Sequence, residues 1–181
     1  MPPRPGFIHP TAEIGNPPEH REWTLKDGDK GVQIAPTAQI NAFCTVDAGH
    51  EHPTRIGHGA WLLAHTHIGH DAEIGAGCEL APGTVIGGHV VLEPGVRCGI
   101  GVLVRNRVRV GRGARIGAGA VVVKDVPPGE IWVGNPAHCL RALPHGEVLS
   151  ELEEEGWEEI ALYEQTDNEM FMEQYMRGRN V

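Results

Sequence analysis

Stepping by six from Ile56, the chain places an aliphatic residue or cysteine at every stop: Ile56, Leu62, Ile68, Ile74, Leu80, Ile86, Leu92, Cys98, Val104, Val110, Ile116 and Val122. Four residues past each stop lies a second small or β-branched side chain, from Ala60, Thr66 and Ala72 through to Ala120 and Val126. Glycine directly follows the stop at Gly57, Gly69, Gly75, Gly87, Gly99, Gly111 and Gly117. A period of six fits neither the 3.6-residue helix nor the 3.5-residue coiled coil. Short strands of about three residues, each followed by a glycine-containing corner, do fit it, because they return a side chain to the interior at the same place on every side. Three hexapeptides then close one triangular coil of a parallel β-helix. Residues n and n + 18 become vertical neighbours about 4.8 Å apart. The predicted fold is all-β, with about five to six such coils.

The phase breaks twice. Ile8 and Ile14 form an early fragment, and Asn16–Gly31 separates it from Ile34, Ile40 and Val46. Ten residues then divide Val46 from Ile56, which inserts four around His50–Thr54. The predicted loops are 16–31 and 47–55, and loops leaving a solenoid are where function is commonly placed. After Val126, Val-Pro-Pro-Gly (126–129) and Gly-Asn-Pro-Ala (134–137) end the repeat. Beyond residue 141 the pattern turns helical. Val148, Leu149, Leu152, Ile160 and Tyr163 form one apolar stripe, and Thr166–Glu169 is a capping-box pattern opening a second helix through Met176. The domain expectation is a β-helix over 1–141 and a helical extension over 142–181.

Composition sharpens this picture in two ways. With 25 Gly and 14 Pro in 181 residues, the chain is rich in breakers, yet 40% of it is hydrophobic and the glycines are periodic, so the excess signals order. The net charge of −9 belongs to the extension, where Glu147 to Glu173 supply eleven acidic groups against Arg177 and Arg179. The β-helix segment is electrically balanced. An acidic chain argues against nucleic acid as a partner, no stretch is long and apolar enough for membrane insertion, and no leader pattern opens the sequence, so a cytoplasmic location is expected. Cys44, Cys78, Cys98 and Cys139 show no paired or metal-site spacing and read as reduced thiols, with Cys78 and Cys98 pointing inward.

These residues resemble the left-handed β-helix, hexapeptide-repeat acyltransferases. The left hand comes from the resemblance, since the period alone does not set it. Ala64-His-Thr-His-Ile-Gly-His-Asp-Ala-Glu-Ile-Gly75 with Gly87-Gly-His-Val90 is similar to UDP-N-acetylglucosamine acyltransferase and to bacterial nucleotide-sugar N-acetyltransferases. Ile116 to Ala137, with Val-Val-Val-Lys-Asp-Val-Pro-Pro and Gly-Asn-Pro-Ala, is similar to members that use acetyl-CoA. The resemblance implies a homotrimer with the acyl site between neighbouring β-helices. It also implies transfer of an acyl group, acetyl first, from a CoA thioester to an amine or hydroxyl of a sugar or nucleotide-sugar, with no metal. Acyl carrier protein is the alternative donor, in a UDP-N-acetylglucosamine O-acyltransferase-like enzyme.

Seven of the eleven histidines fall between residues 50 and 89. Acyl transfer needs a base for the acceptor, a donor for the tetrahedral oxyanion and a groove for the carrier arm. The catalytic expectation is His70 as general base, Asp71 supporting its imidazole as the matching family residue does, and the Gly88 amide, one coil up, facing the thioester carbonyl. His67, His89, Glu19, His20, Arg105 and Asn106 are the expected acceptor-binding residues. Basic residues gather in the last coils, and Arg97, Arg115, Ala118 and Lys124 are the expected CoA-binding set, although a solvated face with Glu93 and Asp125 as ion partners accounts for the same cluster. Two other classes remain open. His65-x₄-His70 has the spacing of a zinc pair in γ-class carbonic anhydrases, which share the fold. A non-catalytic trimeric β-helix with a partner-binding acidic tail is the third reading.

Overall fold

The computed structural model describes residues 5–18 and 28–143. Expectations for Glu19, His20 and the helical extension from residue 144 lie outside the described residues. Among those described every regular element is a strand, and the strands build three parallel sheets that are the faces of a triangular prism. The first face stacks Phe7–Ile8, Gln39–Ile40, Trp61–Leu62, Glu79–Leu80, Arg97–Cys98, Arg115–Ile116 and Glu130–Val133, with His138–Ala142 added antiparallel at the top. The second face runs from Glu13–Asn16 through Thr45–Asp47, His67–Ile68, Val85–Ile86 and Leu103–Val104 to Val121–Val122. The third runs from Val32–Ile34 to Arg109–Val110. From Ile56 to Val122 vertical partners are one coil of three hexapeptides apart, as Leu80↔Cys98 and Ile86↔Val104 show, and only the last level is shorter, with Ile116 paired to Trp132. Most strands have two residues, shorter than the three expected.

All twelve six-step residues are buried, and so are the twelve side chains four further on. They form one continuous core cluster that includes Cys44, Cys78 and Cys98. Burial raises the Cys78 thiol to about 12, so it packs as an apolar group. Two core positions are hydroxyls, Thr66 and Thr84. Each donates at 2.7 Å to the carbonyl three residues earlier, which satisfies it inside the prism.

Glycine does two separate jobs at the corners. The glycine directly after the six-step residue sits where coils touch: a Cβ on Gly75 would lie 2.7 Å from the Pro94 nitrogen and 2.8 Å from the Glu93 carbonyl carbon. The left-handed turn comes two residues later, at Gly59, Gly77, Gly95 and Gly113 along the corner between the third and first faces. The corner between the second and third faces is different. Its left-handed residues are Asp71 (φ 58°), His89 (φ 57°) and Arg107 (φ 65°), at successive levels, and none is glycine. Side chains held in this region cost ~1–2 kcal/mol each, so three in a column mark a place where side chains are kept despite strain.

Both sequence insertions open at this same corner. Ile34 pairs with Ile56 and Val46 with Ile68, so the chain between these vertical partners is longer than the regular coil by the four inserted positions. The Asn16–Gly31 segment leaves the corner one level lower. Its ends are tied to the second insertion by Ala48 N–H to the Asn16 carbonyl, Gly49 N–H to Gly31 and Lys30 N–H to Gly49, at 2.8–3.0 Å.

Candidate active site

The column above these insertions carries the chemistry. His70 is buried at the corner, and its Nδ1 lies 2.7 Å from Asp71 Oδ2. Asp71 has no exposed surface, yet its carboxylate is fully hydrogen-bonded. Backbone N–H groups of His50, Glu51 and His52 donate to Oδ1 at 3.0, 2.7 and 2.8 Å, and His50 N–H also lies 3.0 Å from Oδ2. The Asp71 amide in turn donates to the Thr54 hydroxyl at 2.9 Å. Burial opposes ionisation of Asp71. The donors outweigh it (His52 N–H, the His70 ring, His50 and Glu51 N–H) and hold the carboxyl well below the usual carboxylate range. An ionised Asp71 can only accept, so the proton between the pair sits on His70 Nδ1 and the basic lone pair of the ring is on Nε2.

Gly88 faces that nitrogen. A Cβ on Gly88 would lie 2.7 Å from His70 Nε2 and 2.9 Å from Cε1, so only glycine leaves the imidazole edge open. The Gly88 carbonyl accepts from the Arg107 amide at 3.0 Å, and the next amide, His89, donates to the His70 carbonyl at 2.9 Å. The Gly88 N–H has no acceptor among the described residues. His89 packs edge-on against the His70 ring, centroids 5.0 Å apart, with Nε2 3.8 Å from Asp71 Oδ2. Burial lowers the His89 pKa, and Arg107 lowers it further against the opposing pull of Asp71. Arg105 and Asn106 stand exposed one coil above Gly87 and Gly88. His67 projects from the second face below, its Nδ1 2.8 Å from the Thr45 hydroxyl and its Nε2 3.9 Å from the buried Asp47 carboxylate.

The corner therefore gathers His70, Asp71, Gly88, His67, His89, Arg105 and Asn106. The expected CoA set is not with them. Arg97 and Arg115 are vertical partners on the first face, and Ala118 is exposed on the corner that follows it. Lys124 lies over the Trp132 ring at 5.2 Å. Arg109 ion-pairs with Glu93 at 2.6 Å, and its amide donates to Asp125, so for this residue the solvated-face partners are the ones in place. His65 occupies a different corner from His70 and stacks on Phe43 at 5.1 Å, so the pair does not converge on one metal site within the chain. A trio that does converge is His52, Asp71 and His89. It suits a cation poorly, because the Asp71 oxygens are already taken by amides and His70, and His52 Nδ1 is engaged by the Pro53 carbonyl at 3.1 Å.

Sequence reasoning missed Thr54, Asp47 and the amides of residues 50–52. The four-residue phase slip pointed to them, but a pattern of side chains does not say that a backbone will fold around a carboxylate. No helix of the described residues is long and apolar enough to cross a membrane.

Residues 53–88 match the family model for the bacterial transferase hexapeptide (six repeats). No curated protein sequence matches the chain. Among solved structures it is similar to UDP-N-acetylglucosamine acyltransferase of Francisella novicida, 27% identical with a TM-score of 0.75, over 82% of this chain and 54% of that one. It is similar to the acetyltransferase domain of PglB from Neisseria gonorrhoeae, solved with acetyl coenzyme A, at 28% identity and TM-score 0.63, over 75% and 58% of the two chains. A perosamine N-acetyltransferase mutant of Caulobacter crescentus, solved with CoA and GDP-perosamine, shares the fold at 24% identity and TM-score 0.63, over 75% and 56%. The chain spans little more than half the length of each. These likenesses establish the left-handed β-helix.

Proposed function

We propose that the chain is an acyltransferase carrying an acetyl group from acetyl-CoA to an amine or hydroxyl of a sugar or nucleotide-sugar, with His70 as general base. The observation that carries this is the buried His70–Asp71 pair with its Nε2 directed at a glycine that admits no Cβ. His70 Nε2 takes the proton from the acceptor O–H or N–H as the oxygen or nitrogen attacks the thioester carbonyl. The Gly88 N–H donates to the oxyanion that forms. Collapse breaks the C–S bond, and the proton on His70 goes to the departing CoA thiolate. General-base help contributes ~10²–10⁴-fold and an oxyanion donor ~10²–10³-fold. Asp71 holds the imidazole tautomer and balances the imidazolium. His67, His89, Arg105 and Asn106 border the acceptor, and Glu19 and His20 belong to a segment rooted beneath the same corner.

The donor side supports a trimer. Arg97 and Arg115 lie across the prism from His70 and Ala118 on the neighbouring corner, so one chain does not close the site. A second copy packed beside it brings its own first face toward this corner, and the CoA phosphates then meet arginines while the pantetheine arm reaches Gly88. The PglB domain and the Caulobacter enzyme were solved with acetyl-CoA or CoA, and the latter with a nucleotide-sugar. Calorimetric titration with acetyl-CoA tests the donor: saturable binding that weakens steeply with salt is expected, and binding only by acyl carrier protein moves the assignment to the other donor. A thermal-shift panel of UDP-, GDP- and dTDP-amino sugars names the acceptor.

A further inference from the structure

The insertion around His50–Thr54 lengthens its coil by four residues, and every described hydrogen bond to the Asp71 carboxylate other than that of His70 comes from it. We infer that this insertion is a preformed anion nest occupied by the chain's own Asp71, and that its backbone, with the Thr54 hydroxyl, positions the catalytic pair. The inference rests on the reading of His70 as the base. Three consecutive amides, His50, Glu51 and His52, converge on one oxygen within 3.0 Å. Successive N–H groups arranged this way form a concave anion site that regular strands do not offer. Residues in a regular coil would instead spend those amides on the neighbouring level, as Gly69, Gly87 and Gly99 do.

The nest explains two features that the pair alone does not. Asp71 sits at φ 58°, a left-handed conformation that costs a side chain ~1–2 kcal/mol and that these contacts hold in place. The Thr54 hydroxyl, fully buried, takes the Asp71 N–H, while the nest takes Oδ1, so the residue is held at both ends. With Oδ1 saturated, Oδ2 is left for His70 Nδ1, and the tautomer follows. Atoms of the backbone do the positioning, so the loop's length and path matter more than the identity of its exposed side chains.

Asp71→Gly is the direct test. Glycine adopts this left-handed conformation without strain and leaves the amides facing a vacant, carboxylate-sized space. Sodium formate is the probe, against sodium chloride at equal ionic strength. Formate should raise the melting temperature of Asp71→Gly saturably and slow amide exchange at residues 50–52. It should do neither in wild type or in Asp71→Asn, where the space is filled. Acetyl transfer, lowered ~10²–10⁴-fold by the substitution, should recover at least tenfold with formate. No saturable formate effect on melting or exchange overturns the nest. Formate binding without recovered transfer leaves the nest standing and overturns its role in positioning His70, whose part as base is tested separately by His70→Ala. If Asp71→Gly does not fold, Asp71→Asn decides: exchange at 50–52 should quicken at least tenfold as the charged acceptor is lost, and unchanged exchange overturns the proposal.

Discussion

At the scale of single residues, the site depends on one missing methyl group and one tautomer. Gly88→Ala would place a Cβ against His70 Nε2, and the imidazole, pinned by Asp71, has nowhere to turn. Its kcat is expected to fall at least ~10²-fold while acetyl-CoA binding by calorimetry stays within a few-fold; a wild-type kcat would mean that Nε2 is not where the acceptor reacts. Asp71 titrates below its ordinary range in the folded protein, so its ionised form adds stability above the unfolded carboxyl pKa of ~4 and loses it as pH falls through that value and below. Denaturant unfolding of Asp71→Asn should therefore show a deficit of about 1–3 kcal/mol at pH 7 that narrows steadily below pH 4. A deficit independent of pH would assign the loss to shape rather than charge. The closeness of His70 and Gly88 was legible in the sequence because the six-residue phase puts Gly88 one coil above His70, while Asp71 was expected from the family resemblance. The left-handed column left a trace in the sequence that went unused: glycine is absent three residues past Ile68, Ile86 and Val104, where most other corners keep it.

Strands of two residues have almost no stability alone, so the elements stand or fall with the contacts between coils. Gly75 and Gly101 separate the two corner roles. Gly75→Ala puts a Cβ into the backbone of the coil above, where neither partner can move without breaking the ladder. Gly101 has φ 68° and open space around it, so an alanine there meets only conformational strain. Thermal or chemical unfolding is expected to cost Gly75→Ala about 2–3 kcal/mol or more and Gly101→Ala about 1–2 kcal/mol. The reverse order would contradict the assignment of close approach to the first glycine of each corner. The period told which residues face inward, from Ile34 to Val126, because burial on a prism is a property of phase. The path of the insertions was not legible, because Ala48–Thr54 departs from that phase and its hydrogen bonds run through the backbone, where the residue names carry little information.

Across the described prism, the candidate catalytic residues and the first-face arginines fall on opposite sides. The corner between the second and third faces carries both insertions, the His70–Asp71 pair and the Gly88 amide, with Lys124 three coils higher on the same corner, whereas Arg97 and Arg115 lie across from it on the first face. Next to the site, the second face exposes Val85 and Leu103, and Ile100 projects from the adjoining corner at 64% exposure. A trimer that completes the site would cover part of this surface. Sedimentation should give three chains for the wild type, with Leu103→Asp and Ile100→Asp together shifting the weight toward monomer and lowering transfer in parallel; full transfer by a monomer would show that one chain suffices. Release of free CoA from acetyl-CoA should be followed with the acceptor found by the thermal-shift panel, for wild type and His70→Ala side by side. Wild type should turn over and His70→Ala should lose ~10²–10⁴-fold with acetyl-CoA binding retained; His70→Ala working at the wild-type rate would contradict His70 as the base.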